Sequence, residues 1–465
     1  MRFLFLTIQL FESDFYGEVG AQLGAEGHEV VHVTVSRRSA RRLRERGFEA
    51  VSLLDRLEDR APTALAGEVA RIEREYGIEN VNDVSRTDVA SAKLSDAAAT
   101  SRTVRYFRAL EQLFDELQPD VLVPEVGSEM PRTAAHAVAL RRAVPTLFLF
   151  YTIFPRPLRL YVDTMHAPIV PLEELRPLAP AERAEVDRFV REFTTRAQPI
   201  RAHRRGGVTR KRLQHARSYI GARVREDRDN DYLRPGRWAA DHVVELVRRR
   251  RAKPLYREIP ATPFVYFPLH VVDDYKIERV IPHLADQVAI VERIAAALPE
   301  GHELLLKEHP LSIGRNHLPL LRRLASVPRT RLVSPQTSSH DLIQQADAVV
   351  VISSTVGLEA LLYGKPVLTI GRPFYAGYGV TRDVDSLEEL DEAVPALLGF
   401  HPDDEEVAQF LHAGMRRCLP GAPVLVDGSA DNAARLAASL AAFAENVTGN
   451  EPRGAGIATA QTYAS

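Results

Sequence analysis

Cysteine is almost absent from this sequence, and so are long apolar runs and any excess of charge. The 465 residues contain one cysteine, Cys418, which excludes a disulfide within the chain and a thiolate-clustered metal site. No stretch approaches the ~20 apolar residues that a membrane-spanning helix requires. The 60 Lys and Arg residues balance 62 Asp and Glu residues, so no overall attraction to nucleic acid, acidic partners or a membrane arises. Any basic function is therefore local.

The first ten residues are apolar, but they do not resemble a secretion signal. Thr7 and Gln9 interrupt the apolar run, and Glu12 and Asp14 follow where a small-residue cleavage site would be needed. We interpret the segment as a buried first strand. The sequence therefore predicts a soluble, cytoplasmic protein.

The alternation of strand and helix patterns predicts an α/β fold of two Rossmann-like lobes with a cleft between them. In the first lobe we expect a strand at 3–7, a loop at 9–17 and a helix at 18–26. The predicted divisions are a first lobe (1–170), a helical insertion (171–262), a second lobe (263–400), closing helices (401–445) and a disordered tail (446–465).

The insertion is rich in arginine. Residues 201–253 hold 17 Lys and Arg residues against 6 Asp and Glu residues. A solvated helical surface is one interpretation of this excess. The other is a surface that contacts anionic lipid or an anionic glycan. Aromatic residues are too sparse between the arginines to indicate nucleic-acid binding.

In a parallel sheet, ligand-binding and catalytic residues are expected in the loops that follow the carboxyl ends of the strands. The predicted strand at 303–306 ends in Lys307-Glu308-His309-Pro310. Because proline fixes the backbone, it predicts a stiff turn that presents the imidazole of His309. That ring can donate to a phosphate oxygen or protonate a leaving group, with a pKa near working pH. A structural histidine is the alternative, and the neighbouring hydroxyl-rich segment favours the functional interpretation.

That segment follows the apolar strand at 349–352. Ser353, Ser354 and Thr355 lead into a predicted helix, which combines hydroxyl groups, backbone amides and the positive end of a helix dipole. This combination suits a phosphate, although serine and threonine also cap helices without any ligand. Glu359 lies one turn further on, where its carboxylate can accept from ribose hydroxyls or stabilise the helix dipole.

A third strand end carries His270, followed by Asp273 and Asp274. Adjacent acids can hold a divalent ion together with substrate phosphates. Their arrangement in the loop does not follow from the sequence, so we favour a site without metal or other cofactor.

At these positions the sequence resembles the bacterial capsule polysaccharide biosynthesis proteins, a group that includes Kdo transferases of the GT-B architecture. The resemblance is carried by FVYFPLH at 264–270, LKEHP at 306–310 and VISSTVGLEALLYGKPVLTIGR at 351–372. It covers about 110 residues of the second lobe well and the first lobe in outline. The His-Pro pair is shared with bacterial sialyltransferases, which also use CMP-activated sugars.

The resemblance implies a nucleotide-sugar site in the second lobe and a catalytic base in the first, acceptor lobe. The implied nucleotide-sugar residues are Lys307, His309, Pro310, Ser353, Ser354, Thr355, Glu359 and His270, with His309 also catalytic. Our candidates for the base are Glu125 and Asp163, with Glu12 and Asp14 in reserve. Here the sequence departs from the family pattern. The family is expected to have an acidic or Asn-Gly turn at this place, whereas this sequence has Pro-Glu-Val-Gly at 124–127.

These features predict a glycosyltransferase that moves a sugar from a nucleotide-sugar, with CMP-activated donors included, to a surface-polysaccharide or glycolipid acceptor. Peripheral membrane contact through 201–253 is a further expectation, and nucleic acid is not an expected partner. A sugar-nucleotide epimerase of similar fold is the alternative enzyme. A glycan assembly or export partner that has lost the base is the non-catalytic alternative.

Overall fold

The computed structural model describes residues 1–58, 64–92, 94–196, 210–271 and 274–448. The predicted disordered tail falls on 449–465, outside the described residues, except that 446–448 continue the last helix. The predicted α/β class is confirmed, because two parallel sheets are present, each covered by helices.

The first lobe is built on a parallel sheet of order β3-β2-β1-β4. Its strands are Arg2–Thr7 (β1), Glu29–Thr34 (β2), Glu49–Ser52 (β3) and Val121–Val123 (β4). Its helices are Leu10–Ala25 (α1), Arg37–Glu45 (α2), Leu65–Tyr76 (α3), Asp96–Leu117 (α4) and Met130–Arg141 (α5). The apolar side chains of β1 are buried on both faces, which is typical of a central parallel strand.

The loop expected at 9–17 is wrong, because α1 begins at Leu10. The carboxylate of Glu12 accepts from the backbone N–H groups of Ile8 and Gln9 at 2.9 and 3.1 Å. These bonds satisfy donors that a helix start otherwise leaves unpaired. The polar residues that suggested a loop therefore form the first turn of the helix.

An antiparallel hairpin of Leu147–Tyr151 (β5) and Leu158–Val162 (β6) extends the first lobe. A parallel bridge between Leu122 and Thr146 places β5 beside β4. The carboxyl end of β5 therefore lies at the same edge of the sheet as that of β4. Since β6 runs the opposite way, its carboxyl end lies beside the amino end of β5.

The insertion contains the helices Pro180–Arg196 (α6), Arg210–Arg225 (α7) and Pro235–Ala252 (α8). The segment around α7 docks on the first lobe, where the hydroxyl of Tyr219 donates to Gln9 Oε1 and Asn230 Nδ2 donates to the Val35 carbonyl. On α8, Arg248 donates to the carbonyl of Arg315 in the second lobe. The insertion thus contacts both lobes.

The second lobe has a parallel sheet of order β12-β11-β10-β7-β8-β9. Its strands are Phe264–Pro268 (β7), Glu303–Lys307 (β8), Thr330–Val333 (β9), Ala348–Val351 (β10), Val367–Thr369 (β11) and Arg382–Asp383 (β12). Its helices are Gln287–Ala297 (α9), Leu318–Ser326 (α10), Ser339–Gln345 (α11), Val356–Leu362 (α12) and Leu390–Leu397 (α13). Because β7 lies between β10 and β8, the loops after these three strands are neighbours.

Two helices close the chain, Asp404–Arg417 (α14) and Ala430–Thr448 (α15). The second of them returns to the first lobe. Leu436 and Leu440 of α15 are fully buried in one apolar cluster with Phe3, Phe15 and Val19. The core of the first lobe is therefore completed by residues from the far end of the chain.

Candidate functional site

The loops after β7 and β10 are joined by a direct hydrogen bond. Nε2 of His270 accepts from the backbone N–H of Ser353 at 3.1 Å. Nδ1 of the same ring lies 3.9 Å from a carboxylate oxygen of Asp274. Because Nε2 is an acceptor here, the hydrogen of the neutral ring is on Nδ1 and faces the acid. His270 is 7% exposed, so in this arrangement it positions the Ser353 turn.

We call residues 353–355 the hydroxyl loop. The Ser353 amide is occupied, because it donates to His270. The backbone N–H groups of Ser354 and Thr355 donate to no atom of the described residues. The loop therefore presents two amides at the start of α12, where an anion is favoured.

Lys276 adds a cation to the hydroxyl loop. Its Nζ lies 3.3 Å from Ser353 Oγ, and it belongs to a π-helical turn, Lys276–Val280, that follows the β7 loop. Burial lowers the pKa of Lys276, and Asp274 partly offsets this effect. No motif of the sequence pointed to this lysine, because it lies in an irregular turn that belongs to no predicted strand or helix.

Tyr375 holds the hydroxyl loop in place through a hydrogen bond to its backbone. Its side chain is fully buried, and its hydroxyl donates to the Ser354 carbonyl. A Cβ at Gly357 would overlap that hydroxyl, so the first turn of α12 needs glycine there. The loop is therefore held on two sides, by His270 and by Tyr375.

His309 is exposed at the surface, while its neighbour Glu308 is fully buried. Asn316 Nδ2 donates to Glu308 at 2.7 Å, and the Tyr256 hydroxyl donates to the same carboxylate. Burial raises the pKa of Glu308. The acid therefore anchors the turn that carries His309.

The expected pKa of His309 near working pH is wrong. Burial by surrounding protein, reinforced by His270 and Lys307, lowers the pKa of His309 to about 4. Nδ1 accepts from the Leu311 N–H at 3.1 Å, within the short helical turn that begins at Pro310. The neutral ring therefore carries its hydrogen on Nε2. In this form His309 can donate a hydrogen bond to a phosphate.

Lys307 and Glu359 are both buried and influence each other electrostatically. Burial raises the pKa of Glu359 to about 7, and Lys307 partly offsets this. Burial also lowers the pKa of Lys307 to about 8, and Glu359 partly offsets that. Lys307 Nζ donates to Ser339 Oγ at 2.6 Å. Glu359 is only 5% exposed, and its contact with a ribose remains a prediction.

The Glu359 carboxyl makes stability depend on pH. Between pH 4.5 and about 7 the unfolded state is ionised at this site while the folded state keeps its proton. Rising pH therefore favours unfolding through that window. We expect the free energy of unfolding to fall by about 2–3 kcal/mol more in the wild type than in Glu359→Gln. Urea titrations at several pH values from 4.5 to 7.5 measure this difference, and parallel curves would contradict it.

Glu125 lies at the carboxyl end of β4, at the edge where a first-lobe catalytic group is expected. It adopts a left-handed backbone conformation with φ of 61°. Its carboxylate accepts from the Tyr16 hydroxyl and is 5% exposed. Burial raises its pKa. Such a carboxyl has the proton affinity that a general base needs.

The other candidate acids have structural partners. Glu12 forms a buried ion pair with Arg132 at 2.7 Å, and Asp14 forms an exposed one with Arg42 at 3.0 Å. Asp163 pairs with Thr146 at the amino end of β5, and its Oδ1 accepts from the Thr146 N–H at 2.8 Å. Placing Asp163 among the catalytic groups was wrong, because β6 carries it to the opposite end of β5 from the cleft edge.

No group of three metal-binding side chains occurs within the described ranges. Asp273, one member of the acidic pair considered for a metal, lies outside the described residues, while Asp274 faces His270. Helices long and apolar enough to cross a membrane are also lacking in the described part of the chain.

Comparison with known proteins confirms the resemblance in the second lobe. The sequence model of the capsule polysaccharide biosynthesis protein family matches residues 188–396. This segment includes both the His309 turn and the hydroxyl loop.

Curated relatives match over shorter stretches. Protein FixF of Sinorhizobium fredii is 32% identical over 168 residues, which cover 36% of this chain and 40% of FixF. The capsule polysaccharide modification protein LipA of Neisseria meningitidis serogroup B is 37% identical over 81 residues, which cover 17% of this chain and 12% of LipA. The chain thus spans less than half the length of either relative.

Solved structures show a distant likeness. One described as Thermosulfurimonas dismutans KpsC, beta Kdo 2,4 transferase, is 20% identical, with a TM-score of 0.39. The match covers 64% of this chain and 79% of that one.

Proposed function

From the match of residues 188–396 to the capsule polysaccharide biosynthesis family, we propose that this protein is a glycosyltransferase. It moves a sugar from a nucleotide-sugar, with CMP-activated donors among the candidates, to a surface-polysaccharide or glycolipid acceptor. The observation that carries the proposal is that Lys276 and the open amides of Ser354 and Thr355 lie together at the carboxyl edge of the second sheet. His309 follows β8 at the same edge and interacts electrostatically with His270, which binds the Ser353 turn.

These groups suit a departing nucleotide. In the transfer an acceptor oxygen bonds to the anomeric carbon, and the bond from that carbon to the donor phosphate oxygen breaks. Negative charge develops on the phosphate, where Nε2–H of His309, the Lys276 ammonium and the two amides stabilise it. The proton of the acceptor hydroxyl passes to a first-lobe carboxylate, for which Glu125 is the remaining candidate.

A donor screen followed by product analysis tests this proposal. CMP-, UDP-, GDP- and dTDP-sugars are added separately while thermal unfolding is followed, since a ligand at ~100 times its Kd stabilises by ~2.7 kcal/mol. We expect one nucleotide class to stabilise the protein and to be released only when an acceptor is present. An isomerised sugar still attached to its nucleotide would instead identify an epimerase. Binding without turnover on any acceptor would indicate the non-catalytic partner.

The arginine-rich insertion supports an additional contact with anionic lipid at the inner face of the cytoplasmic membrane. Val243 and Leu246 on α8 are 61% and 64% exposed, and Ile220 and Val224 on α7 are also exposed. Arginines 249–251 end the same helix α8. Apolar side chains beside arginine are typical of helices that lie in a lipid headgroup layer.

Vesicle sedimentation measures this contact. Changing both Val243 and Leu246 to Gln is expected to weaken binding to phosphatidylglycerol–phosphatidylcholine vesicles by about tenfold or more, because two apolar side chains lose their burial in lipid. Leu425→Gln is the matched control, since Leu425 is 63% exposed outside the insertion. Equal binding to vesicles of phosphatidylcholine alone would contradict the electrostatic part of the proposal.

A further inference from the structure

A pocket of about 570 Å³ lies beside the hydroxyl loop, between residues 166–172 and residues 372–378. A narrower recess lined by Lys276 and Thr355 shares Arg159 and His166 with this pocket. The pocket and the candidate phosphate site are therefore continuous. Its volume lies in the range of small-molecule sites.

Arginines from three separate parts of the chain line the pocket. Arg372 is paired with Asp385, and Arg417 is paired with Glu174. Arg159 differs from both, because its partner among the described residues is an aromatic ring and not a carboxylate: its guanidinium carbon lies 4.9 Å from the centroid of the Tyr161 ring. Its Nε is buried and has no hydrogen-bond partner within the described residues.

The acid in the pocket lining does not compensate Arg159. That acid, Asp383, already accepts from the hydroxyls of Thr369 and Thr381 at 2.6 and 2.7 Å. It also accepts from the Gly377 N–H at 2.8 Å. Its oxygens are therefore engaged within the β11–β12 region.

The remaining lining is mainly apolar. It consists of Ala167, Pro168, Ile169, Val170, Pro171, Leu172, Pro373 and Ala376, together with Tyr378 and His166. Such walls offer little to neutral sugar hydroxyls. An arginine in this setting gains most from an oxyanion, because its planar N–H groups bind two oxygens at once.

We propose that this pocket binds a carboxylate or phosphate group of the acceptor, with Arg159 as its anchor. The recess leads from Arg159 to Thr355, so an acceptor held there extends towards the donor phosphate site. The assignment to an acceptor depends on the proposed glycosyl transfer. Binding of the anion itself does not, and it can be measured without any donor.

Binding titrations with three probes test the pocket: a glucuronate-terminated disaccharide, its neutral methyl ester, and glucose 6-phosphate. We expect the wild type to bind at least one anionic probe about tenfold or more tightly than the ester. Tighter binding of the disaccharide acid assigns the pocket to a sugar carboxylate, and tighter binding of the phosphate assigns it to a phosphate-bearing group.

The anchor is tested with Arg159→Gln, Arg159→Lys and the control Arg322→Gln, a change of an exposed arginine on α10. Arg159→Gln should lose about tenfold or more in affinity for the anionic probe, Arg159→Lys should lose less, and Arg322→Gln should match the wild type. Nucleotide binding should be unchanged in all three. Failure of both anionic probes to bind, or unaltered affinity in Arg159→Gln, would overturn the proposal. Anion binding without turnover would reject only the glycosyl transfer.

Discussion

His309→Ala is expected to lower turnover by roughly 10²–10³-fold, because it removes one fixed hydrogen-bond donor from the departing phosphate. The His309 side chain is exposed, and the turn that carries it is anchored by Glu308, so the free energy of unfolding should change little. His317→Ala is the matched control, since His317 is an exposed histidine at the start of α10. Steady-state kinetics with the donor found in the screen measure the effect.

The pKa of His309 also leads to an expectation for how turnover depends on pH. With a pKa of about 4, His309 stays neutral from pH 5 upwards, so turnover should show no inflection from this histidine between pH 6 and 7. His309→Asn keeps an N–H donor and should recover part of the activity that alanine loses. Full activity in His309→Ala would remove this residue from the mechanism, and loss of activity on deprotonation near pH 6.5 would identify it as an acid instead.

Glu12→Ala is expected to cost about 3–5 kcal/mol of stability, the largest loss among the acids considered for catalysis. The change removes the closest carboxylate from the buried guanidinium of Arg132, which keeps only its second ion pair, with Glu129 at 3.2 Å, and loss of one partner of a buried ion pair is costly. It also removes the acceptor for two amides at the start of α1. Chemical denaturation measures the loss.

Asp14→Ala is the control on the same helix. Its ion pair with Arg42 is about half exposed on both sides and should contribute no more than about 1 kcal/mol. Similar losses in Glu12→Ala and Asp14→Ala would contradict the structural role assigned to Glu12. They would also return Glu12 to the list of candidate bases.

The strands of the second lobe could be predicted because they are short, continuous apolar segments. Residues 348–352 are continuously apolar and fully buried, and the hydroxyl residues that follow can only lie at the strand end. In a parallel sheet that end is shared by neighbouring strands, which brings His270 next to Ser353. What the pattern could not show is that the ring binds the Ser353 backbone instead of remaining open to a ligand.

Two features of the first lobe could not be predicted from the sequence. One depends on the direction of a strand, and the other depends on contacts between polar side chains and the backbone. Asp163 was misplaced because an antiparallel return, β6, looks the same in sequence as a strand that runs towards the cleft. The start of α1 was misplaced because its polar residues bind each other and the backbone. The low pKa of His309 depends on residues distant in sequence, which no local motif reveals.

The return of α15 to the first lobe has a consequence for synthesis on the ribosome. Phe3, Phe15 and Val19 are made before the second lobe, yet their apolar cluster is completed by Leu436 and Leu440, which are made after it. Until α15 emerges, that cluster lacks its cover and remains vulnerable to aggregation, while the second lobe already has all of its strands. The lobe that begins first is therefore the one that matures last.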